Sequence, residues 1–348
     1  MNLEKKKIGK RKIFVFAAVT ILGATFLAVL TAEILARFFY SGPLVTNSLI
    51  VSDDDLAFSL RKGVECNGVS PEFTTHYAVD TKYGFRVSTA SEMLPDHPDI
   101  IIYGDSFVFG HGVDYDKIFT SLLSKKFPEF TIINAGVFNY GPDQEFLLAR
   151  RLRKTATPKM EIACFFTGND FTDFGRFKIL QFSADKISVG KPDDPAGNTR
   201  RTLSGLFFYP WLCQFYSWHL FKAVVIERRF RSAVPAKEKK EEELSAAEKK
   251  KIYNIAKMYS IWRKEANNHF LLVLFPDQNF FTGKNRRFIL LKRYLTDMRV
   301  NFLDLSEKAD DNKKIFRAMY YPIDGHWNSK GHVWAAKNIT KAIRNLND

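Results

Sequence analysis

Cysteine is scarce: the 348-residue chain has three, Cys66, Cys164 and Cys213. An odd number without close spacing gives neither a disulfide framework nor a cysteine metal site. Cys164 sits inside an apolar run and reads as a small buried thiol. No zinc-ligand set and no RNA-binding aromatic signature accompanies the basic charge, which sets nucleic acid aside as a partner. Tryptophan is sparse too, with 5 Trp against 33 Phe; that ratio points to apolar filling more than to a surface for stacking sugars. There are no internal repeats.

Positive charge, in contrast, is in excess, at a formal net +14. Lys5, Lys6, Lys7, Lys10, Arg11 and Lys12 stand against Glu4 in the first twelve residues, a local surplus of five that leaves nine for the rest. Such a balance suits residence near an anionic membrane or an acidic polymer. Residues 13–32 then run for twenty positions without a charge, enough at about 1.5 Å per residue to cross a hydrocarbon core of about 30 Å. The basic cluster ahead of this run predicts an amino terminus that stays cytoplasmic and a remainder that is exported. An uncleaved anchor is favoured over a signal peptide. The apolar stretch is long, and Leu30-Thr31-Ala32 puts a large residue at the first small position of a cleavage site. The chain thus divides into a basic tail (1–12), a transmembrane signal-anchor helix (13–39), a linker and β-rich lead-in (40–97) and a main domain (98–348), placed outside the cell inner membrane.

From residue 98 the pattern alternates. Residues 99–103 (DIIIY), 131–135 (TIINA), 161–167 (EIACFFT), 269–275 (HFLLVLF) and 300–305 (VNFLDL) are short apolar runs that fit strands buried on both faces of a parallel sheet. Helical periodicity fills residues 117–127, 144–155, 246–267, 285–298 and 329–345. Strands alternating with helices predict right-handed crossovers and an α/β fold: three α/β/α layers around a five-stranded, mainly parallel sheet. An insert at about 171–245 interrupts the pattern. Within it, residues 203–226 are densely aromatic but carry Pro210, Gln214, His219 and Lys222, too polar for a second span. A helix packed on the core is the plain reading, and a lid or interfacial helix the sharper one.

The polar groups cluster where an open parallel sheet gathers ligands, at the carboxyl ends of its strands. These are Gly104-Asp105-Ser106, then Asn134 to Gly141, then Gly168-Asn169-Asp170, and finally Asp324-Gly325-His326 before the last helix. This ordered set resembles the SGNH (GDSL-like) hydrolase superfamily, whose fold is flavodoxin-like, from about residue 80 to the end without the insert. GDSFVFG is similar to its first block, Gly168-Asn169-Asp170 to its third and DGHWNSKGH to its last. The resemblance implies Ser106 as nucleophile, His326 as base and Asp324 as the acid that orients it. It also implies an oxyanion hole from the Ser106 amide, Asn139 and the Asn169 side chain. The chemistry asks for these residue types: a hydroxyl needs an imidazole to take its proton, and the oxyanion needs fixed donors.

Two departures stand out. The second block usually has glycine where this chain has Asn139, with Gly136 and Gly141 as neighbouring alternatives. The acid lies two residues before the histidine instead of three, as in alginate O-acetyltransferase-type members, which tilts the reading toward acyl transfer on a polysaccharide. The expected function is hydrolysis or transfer of an O-acyl group, acetyl above all, on an acylated cell-envelope carbohydrate or another ester, with no metal or organic cofactor. The alternatives are a non-catalytic polysaccharide-binding or assembly protein and a lipid-acting esterase. His332 reads as part of the last helix, or as a third metal ligand beside Asp324 and His326. His76, His97, His111, His219 and His269 read as structural.

Overall fold

The computed structural model describes residues 10–39, 49–70, 72–183, 186–192, 243–267, 269–280, 285–309, 313–322 and 324–347. The aromatic segment 203–226, with its alternative readings, and Cys213 lie outside them. The first element, α1 (Lys10–Phe39), carries the charge-free run and is exposed almost throughout. Its Arg11–Leu35 stretch has a mean hydropathy of 2.6 and is long and apolar enough to cross a membrane.

The lead-in contains a two-stranded ladder, β1 (Ile50–Asp53) with β2 (Ala57–Leu60), and a three-stranded antiparallel sheet, β3 (Glu65–Ser70), β4 (Phe73–Val79) and β5 (Arg86–Val87). Then come β6 (Ile100–Gly104), α2 (Ser106–Phe109), α3 (Phe119–Lys126), β7 (Ile132–Gly136), α4 (Pro142–Leu152), β8 (Met160–Phe166) and α5 (Asp170–Asp173). A small hairpin, β9 (Leu180–Phe182) with β10 (Ile187–Val189), falls in the predicted insert. The chain closes with α6 (Ala246–Glu265), β11 (Phe270–Phe275), α7 (Arg286–Asp297), β12 (Phe302–Asp304), α8 (Lys313–Arg317) and α9 (Ser329–Asn347).

All five predicted strands form one sheet in the order β12-β11-β8-β6-β7, and every pairing in it is parallel. The sequence therefore leaves β6 on one side to reach β7 and on the other to reach β8. That reversal opens a crevice at the carboxyl end of β6, where doubly wound sheets bind ligands.

Alternation along each strand divides the core in two. Ile101, Tyr103, Ile133, Ala135, Ala163, Phe165, Leu272 and Leu274 face the side covered by α4, α6 and the lead-in. Ile100, Ile102, Ile162, Cys164, Leu271, Val273 and Phe275 face α3 and α9. Both faces are buried, which is why these strands read as continuous apolar runs and not as alternating ones. Burial is worth roughly 1.5–3 kcal/mol for each such side chain. Cys164 is enclosed among them, and burial raises its thiol well above the ordinary range.

The lead-in is fastened to this domain by Arg86 from β5. Its guanidinium is fully buried and donates to the carbonyls of Phe109 (2.7 Å), Gly110 (2.5 Å) and Val113 (2.6 Å), between the rings of Tyr77 and Phe109. The segment that follows α2 is thereby held against β4 and β5.

Beneath the crevice lie four buried carboxyls, Asp105, Asp143, Glu145 and Asp170. Neither oxygen of Glu145 has a hydrogen-bond partner among the described residues. Burial, aided in Glu145 and Asp170 by the neighbouring acids, raises all four. Asp143 is pushed up from 3.8 to about 6. A carboxyl raised in the native state binds its proton more tightly when folded, so its stability is fully present below 3.8 and declines as pH rises to about 6. For Asp143 that decline is at most about 3 kcal/mol. Asp53 and Asp99, both held near about 2, act in the opposite sense, and only at lower pH. His332, lowered to about 3 by burial, acts in the opposite sense over that interval, so the part due to Asp143 is read by difference: the wild-type urea midpoint minus that of Asp143→Asn should fall between pH 4 and pH 7. An unchanged pH slope in the variant would remove Asp143 from the account.

Candidate active site

Ser106 begins α2 directly after β6. Asp105 caps the helix by accepting from the Phe107 amide at 2.9 Å, so the chain turns sharply and the Ser106 side chain stands at the sheet's carboxyl edge. The turn is close-packed against β7. A Cβ on Gly136 would lie 2.2 Å from the Phe109 nitrogen, an approach only glycine allows. Asn134 fixes the same contact, donating to the Val108 carbonyl (2.8 Å) and to Thr120 (3.0 Å) while accepting from the Gly136 amide (2.9 Å).

His326 arrives from the other end of the chain. Its Nε2 lies 2.7 Å from Ser106 Oγ, across 220 residues of sequence. Its Nδ1 lies 2.6 Å from Asp324 Oδ1, which also accepts from the His326 backbone amide at 3.3 Å. The two-residue spacing works because Gly325, between acid and base, takes φ +84°, the left-handed region glycine enters freely. The loop is anchored on three sides. The Asp324 amide donates to Glu72 at 2.6 Å, the Tyr321 amide donates to the His326 carbonyl at 2.8 Å, and Trp327 is buried against Phe107 and Phe275. Burial works to raise the Asp324 carboxyl, but the neighbouring imidazoles of His111 and His326 outweigh it and hold the group far below the ordinary range. An ionised Asp324 accepts the hydrogen bond from His326 Nδ1–H, which leaves Nε2 as the acceptor for the serine hydroxyl.

The sequence-predicted oxyanion donors are arranged unevenly. Asn139 lies past β7 at φ +57°, a conformation asparagine tolerates in place of glycine. Among the described residues, the backbone N–H groups of Ser106 and Asn139 have no acceptor. The alternative amides are engaged: Gly136 by Asn134, and Gly141 by Gln144 at 3.1 Å. The Asn169 side chain donates to Asp173 at 2.7 Å, which leaves its second amide hydrogen for an oxyanion. Asp173, for which the sequence suggested no role, is thus its positioning partner.

His111, read from the sequence as structural, stands inside the site. Its Nδ1 lies 2.9 Å from the Tyr77 hydroxyl, its Nε2 3.6 Å from Asp324 Oδ2, and its ring 4.7 Å from that of His326. A sequence signal existed, since His111 belongs to the GDSFVFGHG stretch five residues after Ser106. Nothing in the spacing says that the lead-in would supply Tyr77 beside it. His111, Asp324 and His326 present ligand-type atoms within 4.8 Å of one another, the only such group of three or more among the described residues. His332 is not part of it: buried, it accepts from the Phe119 amide at 3.2 Å and stacks on that ring, and burial lowers it to about 3.

No protein-family model matches the chain, and no curated protein does. Among solved structures it is similar to a member of the lipolytic protein G-D-S-L family from Veillonella parvula (10% identity, covering 70% of this chain and 96% of that one, TM-score 0.36). A GDSL-like lipase from Bacteroides thetaiotaomicron matches at 12% identity over 74% of this chain and 94% of its own (TM-score 0.35). An acetyl xylan esterase from the rumen bacterium Butyrivibrio proteoclasticus matches at 11% over 73% and 64% (TM-score 0.37).

Proposed function

We propose that this chain is a membrane-anchored serine esterase or O-acyltransferase of SGNH type that acts on acyl groups, acetyl foremost, of a cell-envelope carbohydrate. The observation that carries the reading is the connected series Ser106 Oγ–His326 Nε2 and His326 Nδ1–Asp324 Oδ1, at 2.7 and 2.6 Å. In the first step, Ser106 Oγ bonds to the ester carbonyl carbon as its proton passes to His326 Nε2. Asp324 stabilises the resulting imidazolium. The negative charge on the carbonyl oxygen meets the Ser106 and Asn139 amides and the Asn169 side chain, each such donor worth about a hundredfold to a thousandfold in rate. The bond to the leaving alkoxide then breaks, and His326 returns the proton to that oxygen. In the second step His326 takes a proton from water, giving an esterase, or from a sugar hydroxyl, giving a transferase. That oxygen bonds to the acyl carbon, the acyl–Ser106 bond breaks, and His326 returns the proton to Ser106 Oγ.

Support for the location comes from α1, apolar over Arg11–Leu35 and preceded by the basic cluster, an order that leaves the globular part on the outer side. The carbohydrate leaning rests on the two-residue acid–base spacing.

A fluorophosphonate should add one adduct to the wild-type protein and none to Ser106→Ala, read by intact mass. Absence of both the adduct and p-nitrophenyl acetate turnover would favour a non-catalytic binding protein. Preference for long-chain over short-chain esters would favour a lipid substrate instead. Asp324→Asn should keep the fold and lower kcat by about four orders of magnitude, because the amide supports the wrong tautomer of His326; a loss below tenfold would remove Asp324 from the triad.

A further inference from the structure

We propose that His111 is a second positioning residue of the site, a neutral donor set by Tyr77 that holds the free oxygen of Asp324 while His326 occupies the other. The inference rests on the serine-hydrolase reading of Ser106, Asp324 and His326.

The two partners of the ring set the tautomer. An ionised carboxylate can only accept, so the nitrogen facing Asp324 carries the proton, and Nδ1 is left to accept from the Tyr77 hydroxyl at 2.9 Å, whose oxygen accepts from the Gly112 amide at 2.9 Å. With Nδ1 accepting, the single ring proton of neutral His111 sits on Nε2, which faces Asp324 Oδ2 at 3.6 Å. Oδ1 of the same carboxylate takes His326 Nδ1. Each oxygen of Asp324 thus faces an imidazole, Oδ1 at hydrogen-bond distance and Oδ2 at 3.6 Å, an arrangement that opposes rotation of the carboxylate away from His326.

Neutrality matters as much as position. A charged His111 would set a second cation 4.7 Å, ring to ring, from the imidazolium that forms on His326. Several groups bear on its charge. Asp324 and His326 face it from the carboxyl-terminal loop, Tyr77 from β4, and Arg86 from β5 lies within electrostatic reach. Phe73 and Phe138 close the remaining sides with apolar rings. Burial is the largest influence and lowers His111, with His326 and Arg86 acting the same way against Asp324. The imidazole therefore stays uncharged at neutral pH and donates without competing with His326.

The test uses the full chain in detergent and a short-chain nitrophenyl ester. His111→Ala should lower kcat by about tenfold to a hundredfold with KM little changed, the scale seen when a group orienting an essential histidine is removed. The acid limb of kcat/KM should move to lower pH, since a loosened Asp324 supports the imidazolium less well. His111→Gln, whose side-chain amide can donate to Oδ2 at any pH, should recover most of the loss. Tyr77→Phe, which frees the tautomer but leaves the ring, should give a smaller loss of kcat at a similar melting temperature. Wild-type kcat in His111→Ala, or His111→Gln no better than alanine at equal melting temperature, would overturn the proposal. If His111→Ala fails to fold, Gln and Tyr77→Phe decide it by the same criteria. Fluorophosphonate labelling separates the two levels. Label that survives Ser106→Ala defeats the hydrolase reading itself, whereas label dependent on Ser106 with an inert His111 defeats only this inference.

Discussion

The bond between Ser106 and His326 joins the end of the first sheet strand to a loop 220 residues later. Every layer of the domain contributes to keeping that contact short. From the serine side, β6 is pinned between β7 and β8, and Gly136 lets α2 approach to backbone contact. From the histidine side, Trp327 is buried between Phe107 and Phe275, so the residue next to the base is part of the core. Well-packed interiors resist small displacements, and that resistance is passed directly to the site.

The lead-in sheet is the less expected contributor. Residues read as a linker and β-rich approach bring Glu72 to the Asp324 amide, Tyr77 to His111 and Arg86 to the carbonyls of the 109–113 segment. Acid and base therefore rest on a surface built by residues ahead of the main domain. A buried arginine is costly to desolvate, and the one here is lowered to about 10 by its burial. It persists because the irregular turn after α2 leaves the carbonyls of Phe109 and Val113 without a backbone donor among the described residues, while Gly110 already accepts from the Val113 amide.

Below the crevice the balance runs the other way. Asp105, Asp143, Glu145 and Asp170 are buried with few donors, so their carboxyls favour the neutral form, while Asp324, a short distance above, is held ionised by two imidazoles. One site thus contains carboxyls driven in opposite directions by desolvation and by hydrogen bonding.

By itself the sequence determined the elements and their class. The five apolar runs became the five parallel strands within a residue or two at most ends, because burial on both faces demands continuous apolar side chains. The amphipathic periods became the helices, and the polar clusters fell at the strand ends where turns must lie. It also placed Ser106, Asp324 and His326 in view, since their local motifs are short. Only the tertiary structure decided strand order, which local pattern does not encode, and the partners of each polar atom. Periodicity could not foretell that His111 would lie between Tyr77 and Asp324, that Asn169 would lean on Asp173, or that Gly136 and Gly141 would spend their amides on side chains. Apolar patterning records which side of an element is buried; a hydrogen bond depends on a few tenths of an ångström between groups that the chain brings together only on folding.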